Sequence, residues 1–191
     1  FERANAGRRI LTEDEHTKVM AMQVAVRGDA VAMEYLASGD PEVSMTWDGD
    51  DRLCKGRVDW LTQVDGVHTI VGLKTARDCR PYIFGSASAK LGYALQWAWY
   101  FDGYERITGR SARMVEIVVE SEAPHAVAVY HIPSDVLEYG REEYRNLMKL
   151  LAECERTDRW PGPVVGEQTL TLPSWVYGSA DDLSDLGLEA A

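Results

Sequence analysis

Asp59 and Lys74 stand 15 residues apart in CKGRVDWL (Cys54–Leu61) and IVGLKTARD (Ile70–Asp78). Each segment reads as a strand, and the Asp65-Gly66 turn between them places the two side chains near one edge of a sheet. A carboxylate and a lysine so placed suit metal-assisted phosphodiester hydrolysis. The acid holds a hard divalent cation, while the lysine orients the attacking water or neutralises developing charge. Such a site needs a second acid, expected two residues before the lysine, and that position is Gly72. Glu42, on the preceding strand, can reach the same edge. Strands bearing one acid and one lysine are common, so solvent-facing charge is the plain alternative. Lys74 argues against it, because it follows the apolar run Ile70-Val71-Gly72-Leu73, where an unpaired lysine is costly.

The elements that position these residues follow from pattern. Thr12 and Glu15 form a capping box for helical residues 12–37, with Val19, Met22, Val26, Ala30, Met33 and Leu36 at helical spacing and a break at Gly28-Asp29. Glu42–Trp47, Leu53–Thr62 and His68–Lys74 are expected strands, and Ser86–Phe101 an expected helix closed by Asp102-Gly103. Met114–Val119 reads as an interior strand paired with Ala126–Ile132. Ser134–Arg156 reads as a helix interrupted near Gly140, with Leu147, Leu150 and Leu151 in the core. Hairpins interleaved with helices indicate an α/β (α+β) fold around a central mixed sheet flanked by helices. The expected organisation is a helical segment over 1–40, a core over 41–178 and an acidic tail over 179–191.

Composition bounds the function. The 191 residues fit one domain, with 46% apolar and 27% charged residues. No apolar run suits a membrane helix and no secretory signal opens the chain, although Phe1 suggests that something precedes it. Cys54, Cys79 and Cys154 show no metal spacing, which indicates reduced thiols and a cytoplasmic setting. The net charge of −11 opposes nucleic-acid binding overall, yet residues 52–90 hold seven basic side chains against three acidic ones. Lys55, Arg57, Arg77 and Arg80 are the phosphate-contact candidates in this window. His68, His125 and His131 read as surface or packed histidines, Ser86 and Ser88 as helix caps, and most tryptophans as core, with Trp60 open to base stacking.

The blocks CKGRVDWL, IVGLKTARD and YALQWAWYFDGY, followed by VESEAPHAVAVYHI, a helix over Tyr139–Arg156, RWPG and LTLPSW, resemble in their order the PD-(D/E)XK nuclease core. The resemblance is to its RecE-type (exodeoxyribonuclease VIII-like) exonuclease branch, related to RecB-type nucleases, and it spans roughly Arg8 to Val176. It implies a restriction-endonuclease-like fold and Mg²⁺- or Mn²⁺-dependent exonuclease action on double-stranded DNA ends in recombination. It further implies a homo-oligomer, a single-strand annealing partner, and a bacterial or phage-infected host. Position by position, Glu42 helps to hold the metal, Asp59 is the main metal ligand, Leu73 offers its backbone carbonyl and Lys74 is the motif lysine. Gln96, with Tyr93 and Tyr100, matches a glutamine–tyrosine motif that positions phosphate or the lysine.

Two departures stand out. The histidine that RecB-like nucleases carry on an early helix has no counterpart in His16. Gly72 occupies the slot of the second acid, and three readings of it remain open: an engineered inactive variant, natural loss of catalysis leaving a DNA-binding or scaffold protein, or a carboxylate supplied from elsewhere by Glu116, Glu120 or Asp78. Under the first two the chain is impaired; Gly72→Asp is expected to raise cleavage strongly where Glu42, Asp59 and Lys74 keep their roles, and to stay inert in a scaffold protein.

Overall fold

A computed structural model describes residues 7, 9–49, 52–164 and 166–171. Asp50 and Asp51 of the first hairpin turn, Trp175, the end of the LTLPSW block and the acidic tail lie outside these residues. The chain divides into two compact units, Phe1–Lys149 and Leu150–Ala191. In the second, the described residues comprise the last turns of a helix followed by irregular chain.

The first unit is built on a five-stranded sheet in the order β1 (Asp40–Asp48), β2 (Leu53–Val64), β3 (Val67–Ala76), β4 (Arg113–Glu120), β5 (Val127–His131). All pairs are antiparallel except β3 with β4, so the sheet is mixed, as the hairpins imply. The parallel pair requires a crossover, supplied by helices α3 (Pro81–Leu91) and α4 (Tyr93–Thr108). Helices α1 (Glu13–Gly28) and α2 (Ala30–Leu36) precede the sheet, and α5 (Ser134–Thr157) follows it. The Thr12–Glu15 capping box forms, and Asp29 caps α2 by accepting from the Ala32 amide.

Alternation along the strands builds two cores. Val58, Ile70, Met114 and Val118 face Phe84, Trp97, Phe101 and Tyr104 of α3 and α4. Val71, Val115, Ile117 and Val119 face Val26 and Ala32 of α1 and α2. The centre of the sheet is therefore covered on both faces, which is why β4 reads as a nearly continuous apolar run.

Four sequence expectations are corrected. The helix expected over Ser86–Phe101 is two helices, because Gly92 takes φ 69° and caps α3 in the left-handed region; α4 then runs through Asp102-Gly103 to a second such glycine, Gly109. Ser86 and Ser88 thus lie inside α3 rather than at its start, and Ser88 donates to the Phe84 carbonyl. Helix α5 does not break at Gly140, which is instead the point of close approach to α4: any side chain there would run into the Ala94 carbonyl. Leu147 and Leu150 are exposed rather than core. Among the described residues no helix is long and apolar enough to cross a membrane.

Gly140→Ala should therefore lower the melting temperature by several degrees, as overpacking costs about 1–3 kcal/mol. Gly85→Ala, in crossover helix α3 with open space around it, should raise stability by about 0.5–1 kcal/mol in chemical denaturation.

Candidate active site

The parallel register of β3 and β4 sets Gly72 directly beside Glu116. Glu116 is fully buried in an otherwise apolar strand. Its carboxylate fills the space that a side chain at position 72 would take: a Cβ on Gly72 would stand 2.5 Å from Oε1 and 2.6 Å from Oε2 of Glu116. The acid two residues before the lysine is missing from the chain but present in space. Of the three candidates for a displaced carboxylate, Glu120 accepts from the Cys79 amide and Asp78 is clasped by Arg80, so Glu116 alone stands at the site.

Glu116 is held by two contacts. The Trp97 indole N–H donates a short hydrogen bond to Oε2. Lys74 Nζ lies 3.9 Å from Oε1, which has no hydrogen-bond partner. Burial pushes the Glu116 carboxyl up to about 7, with the Asp59 charge acting in the same direction; Lys74 and the Trp97 hydrogen bond oppose both. An orphaned, buried carboxylate oxygen facing a lysine and a second acid is costly unless something cationic completes it.

Asp59 comes from a fork in the sheet. Pairing of β2 with β3 ends at Trp60 opposite Val71, and Asp59 Oδ2 takes the place of the next ladder partner by accepting from the Leu73 amide at 2.8 Å. The N–H and C=O of one strand residue point the same way, so the Leu73 carbonyl faces this fork as well. Asp59, Gly72, Lys74, Gln96, Trp97, Tyr100 and Glu116 line one narrow, closely packed cleft. Lys74 is 18% exposed and sits 5.3 Å from the Tyr93 ring centroid, a cation–π contact that aims it inward. Gln96 donates to the Tyr100 hydroxyl at 3.3 Å, joining the two residues one turn apart on α4.

The other expected residues lie elsewhere. Glu42 falls opposite Asp59 in the β1–β2 register but pairs with Arg57 at 2.8 Å and does not line the cleft. Lys55 and Arg57 are exposed on β2, and Arg77 is exposed beyond β3. Arg80 is engaged by Asp78 through a two-pronged contact, which holds the Asp78 carboxyl below its ordinary range. Trp60 packs into the α1–α2 core and donates to the Ser38 carbonyl, so its indole is not a free stacking surface. His68, His125 and His131 are outside the cleft.

Among the described residues no three acidic, histidine or cysteine side chains cluster to hold a metal ion. Two carboxylates and one backbone carbonyl nevertheless fit a magnesium-like cation, which takes one or two carboxylates and completes its shell with water and phosphate oxygens. The unsatisfied Oε1 of Glu116 is the observation that favours this fit.

The family model of a PDDEXK-like domain of unknown function (DUF3799) matches residues 1–168. The chain belongs to this family. It has the PD-(D/E)XK nuclease fold. A crystal structure from Eubacterium rectale, of a protein described as "Putative exonuclease", aligns with 94% of this chain and 71% of its own at 13% identity and a TM-score of 0.64. At that identity the likeness supports the fold alone. The solved structure of SSO0001 aligns over 71% of this chain and 60% of its own at 15% identity, and its TM-score of 0.41 carries no argument. No curated protein matches the sequence.

The raised Glu116 carboxyl has a measurable consequence. The folded chain holds this proton up to about pH 7, whereas an unfolded chain releases it near the ordinary value of 4.5. The contribution to stability is fully present below pH 4.5 and is lost as pH rises to about 7. Chemical denaturation of Glu116→Gln should lack this decline, so the stability difference between variant and parent should grow in the variant's favour between pH 4.5 and 7.

Proposed function

We propose that the chain is a catalytically competent, Mg²⁺- or Mn²⁺-dependent DNA nuclease whose second motif acid is Glu116 in place of Gly72. The single observation that carries this reading is the Glu116 carboxylate in the space vacated at Gly72, with Lys74 on one side and Asp59 in the same cleft. A glycine in a strand costs roughly 0.5–1 kcal/mol relative to alanine, and here the missing Cβ is what admits the carboxylate.

A divalent cation bound here would polarise the scissile phosphate and lower the pKa of the attacking water. Asp59 and Glu116 would hold it, with the Leu73 carbonyl at the fork. Lys74, kept inward by Tyr93, is placed to orient the water or to meet charge developing on the phosphate. Trp97 fixes one oxygen of Glu116 and leaves the other to face the cleft. Gln96 and Tyr100 offer polar groups at its wall for substrate phosphate. The finer reading is exonuclease action on double-stranded DNA ends within recombination, as in the RecE-type branch; its support is the order of sequence blocks around these residues. Ring-like homo-oligomers and a single-strand annealing partner belong to the same reading.

The expectation that Gly72→Asp restores activity reverses. A side chain at 72 collides with the Glu116 carboxylate and adds a second negative charge to a buried site. Gly72→Asp alone should be inactive and less stable, whereas Gly72→Asp combined with Glu116→Ala should regain part of the cleavage of linear duplex DNA in Mn²⁺. Asp59→Asn and Glu116→Gln should each lose activity by orders of magnitude. Trp97→Phe should lower it about 10- to 100-fold, the range seen when a residue that orients a metal ligand is removed. Full cleavage by Glu116→Gln would overturn the assignment, and a DNA-binding scaffold would be the better reading if no variant or metal yields cleavage while duplex still binds.

A further inference from the structure

The β1–β2 hairpin extends beyond the sheet. Only Trp60–Val64 of β2 pair with β3, so Leu53–Val58 pair with β1 alone and form a two-stranded ribbon that ends at the catalytic Asp59. One face of the ribbon is packed: Met45, Trp47, Cys54 and Val58 are buried against the α4 side, where Trp99 donates to the Lys55 carbonyl. The other face is exposed along its length and carries Ser44 opposite Arg57, Thr46 opposite Lys55 and, at the tip, Asp48 opposite Leu53. In a protein of net charge −11, two cations beside two hydroxyls on a bare sheet face that runs to the active centre are unusual.

Arg57 is already paired. Glu42, directly across from Asp59, reaches it at 2.8 Å, and Glu42 takes the left-handed φ of 56° that non-glycine residues rarely adopt. The pair is exposed, 67% and 58% at the two side chains, so it is worth little as stabilisation. A carboxylate that occupies a guanidinium on an exposed face is readily exchanged for another oxyanion, and phosphate is an oxyanion that guanidinium groups bind well.

We propose that the outer face of this ribbon is the track for the DNA backbone leading to the cleft, with Arg57 and Lys55 as its phosphate contacts and Glu42 as the carboxylate that Arg57 exchanges for phosphate on binding. Successive outward residues are about 6.8 Å apart along the strand. That equals the rise of two nucleotides along one strand of a duplex, at about 3.4 Å each. Ser44 and Thr46 add neutral donors on the same face. This rests on the nuclease reading for the cleft, and it assigns Glu42 a role in substrate exchange in place of metal binding.

The test is binding of the full chain to a fluorescent linear duplex in EDTA across a salt series, so that no cleavage enters. Arg57→Gln and Lys55→Gln should each reduce the slope of log affinity against log salt by about 0.9, and the double variant by about 1.8. Arg57→Lys should keep the slope, and Arg9→Gln, remote and paired with Glu15, should leave it unchanged. Glu42→Gln should bind duplex several-fold more tightly. Melting curves of each variant separate these effects from misfolding. A double variant with the parental slope overturns the track, as does a parent that does not bind duplex. A Glu42→Gln variant that binds no tighter, or that loses Mn²⁺ affinity in titration, overturns the exchange role. If the slopes change as expected but the parent never cleaves DNA in Mn²⁺, the nuclease reading fails and the track stands.

Discussion

The structure depends on the parallel pairing of β3 and β4, because that register decides which residue stands beside Gly72. A carboxylate in the middle of a buried strand would ordinarily be a liability of several kcal/mol. Glu116 is tolerated because its neighbour has no side chain, because Trp97 satisfies one oxygen, and because Lys74 lies close to the other. Two of these supports, Gly72 and Lys74, come from β3 and the third, Trp97, from α4, which also holds Lys74 in place through Tyr93. Packing of α4 on the sheet is therefore what keeps the acid buried and aimed.

The second determinant is the fork between β2 and β3. If the ladder continued past Trp60 and Val71, the Leu73 amide would be paired to backbone and Asp59 would be a surface residue. Instead, the alternation of β2 slips at Asp59: Val58 and Leu61 both pack toward the same core, and Glu42 opposite departs from extended geometry. The carboxylate is turned into the gap and fixed by the Leu73 amide. The irregularity and the placement of Asp59 in the cleft thus share one cause, since a regular hairpin would point Asp59 away from Glu116.

Much of this was legible in the sequence, for definable reasons. The strand boundaries followed from two-residue alternation and from Asp65-Gly66, whose positive φ values suit a hairpin turn. Asp59, Lys74, Gln96 and Tyr100 were recognisable together, and they do share a cleft. Glu116 could be named only as one candidate of three, because strand order and parallel register are long-range facts that no local pattern encodes. The contact of Trp97 with it left no local trace either, since an interior tryptophan on a helix looks like core whatever its indole N–H meets. The Ser86–Phe101 helix misled because its apolar spacing runs on across Gly92, and the left-handed cap there depends on a conformation rather than on composition.

These points bear on how an acid motif should be read. What a divalent cation requires is carboxylate oxygens at fixed positions, and it does not register which strand supplies them. Glutamate is one methylene longer than aspartate, and adjacent strands are about 4.8 Å apart. A glutamate on β4 can therefore deliver its oxygens over a glycine on β3 to the volume that an acid on β3 would fill. The exchange requires two coordinated conditions, a residue without Cβ at 72 and an apolar strand that tolerates one acid at 116. Either alone would be harmful: the glycine would leave a half-buried lysine without this counter-charge, and the glutamate would clash with any side chain at 72. That both conditions are met in one chain, at paired positions, makes Gly72 and Glu116 a single structural unit.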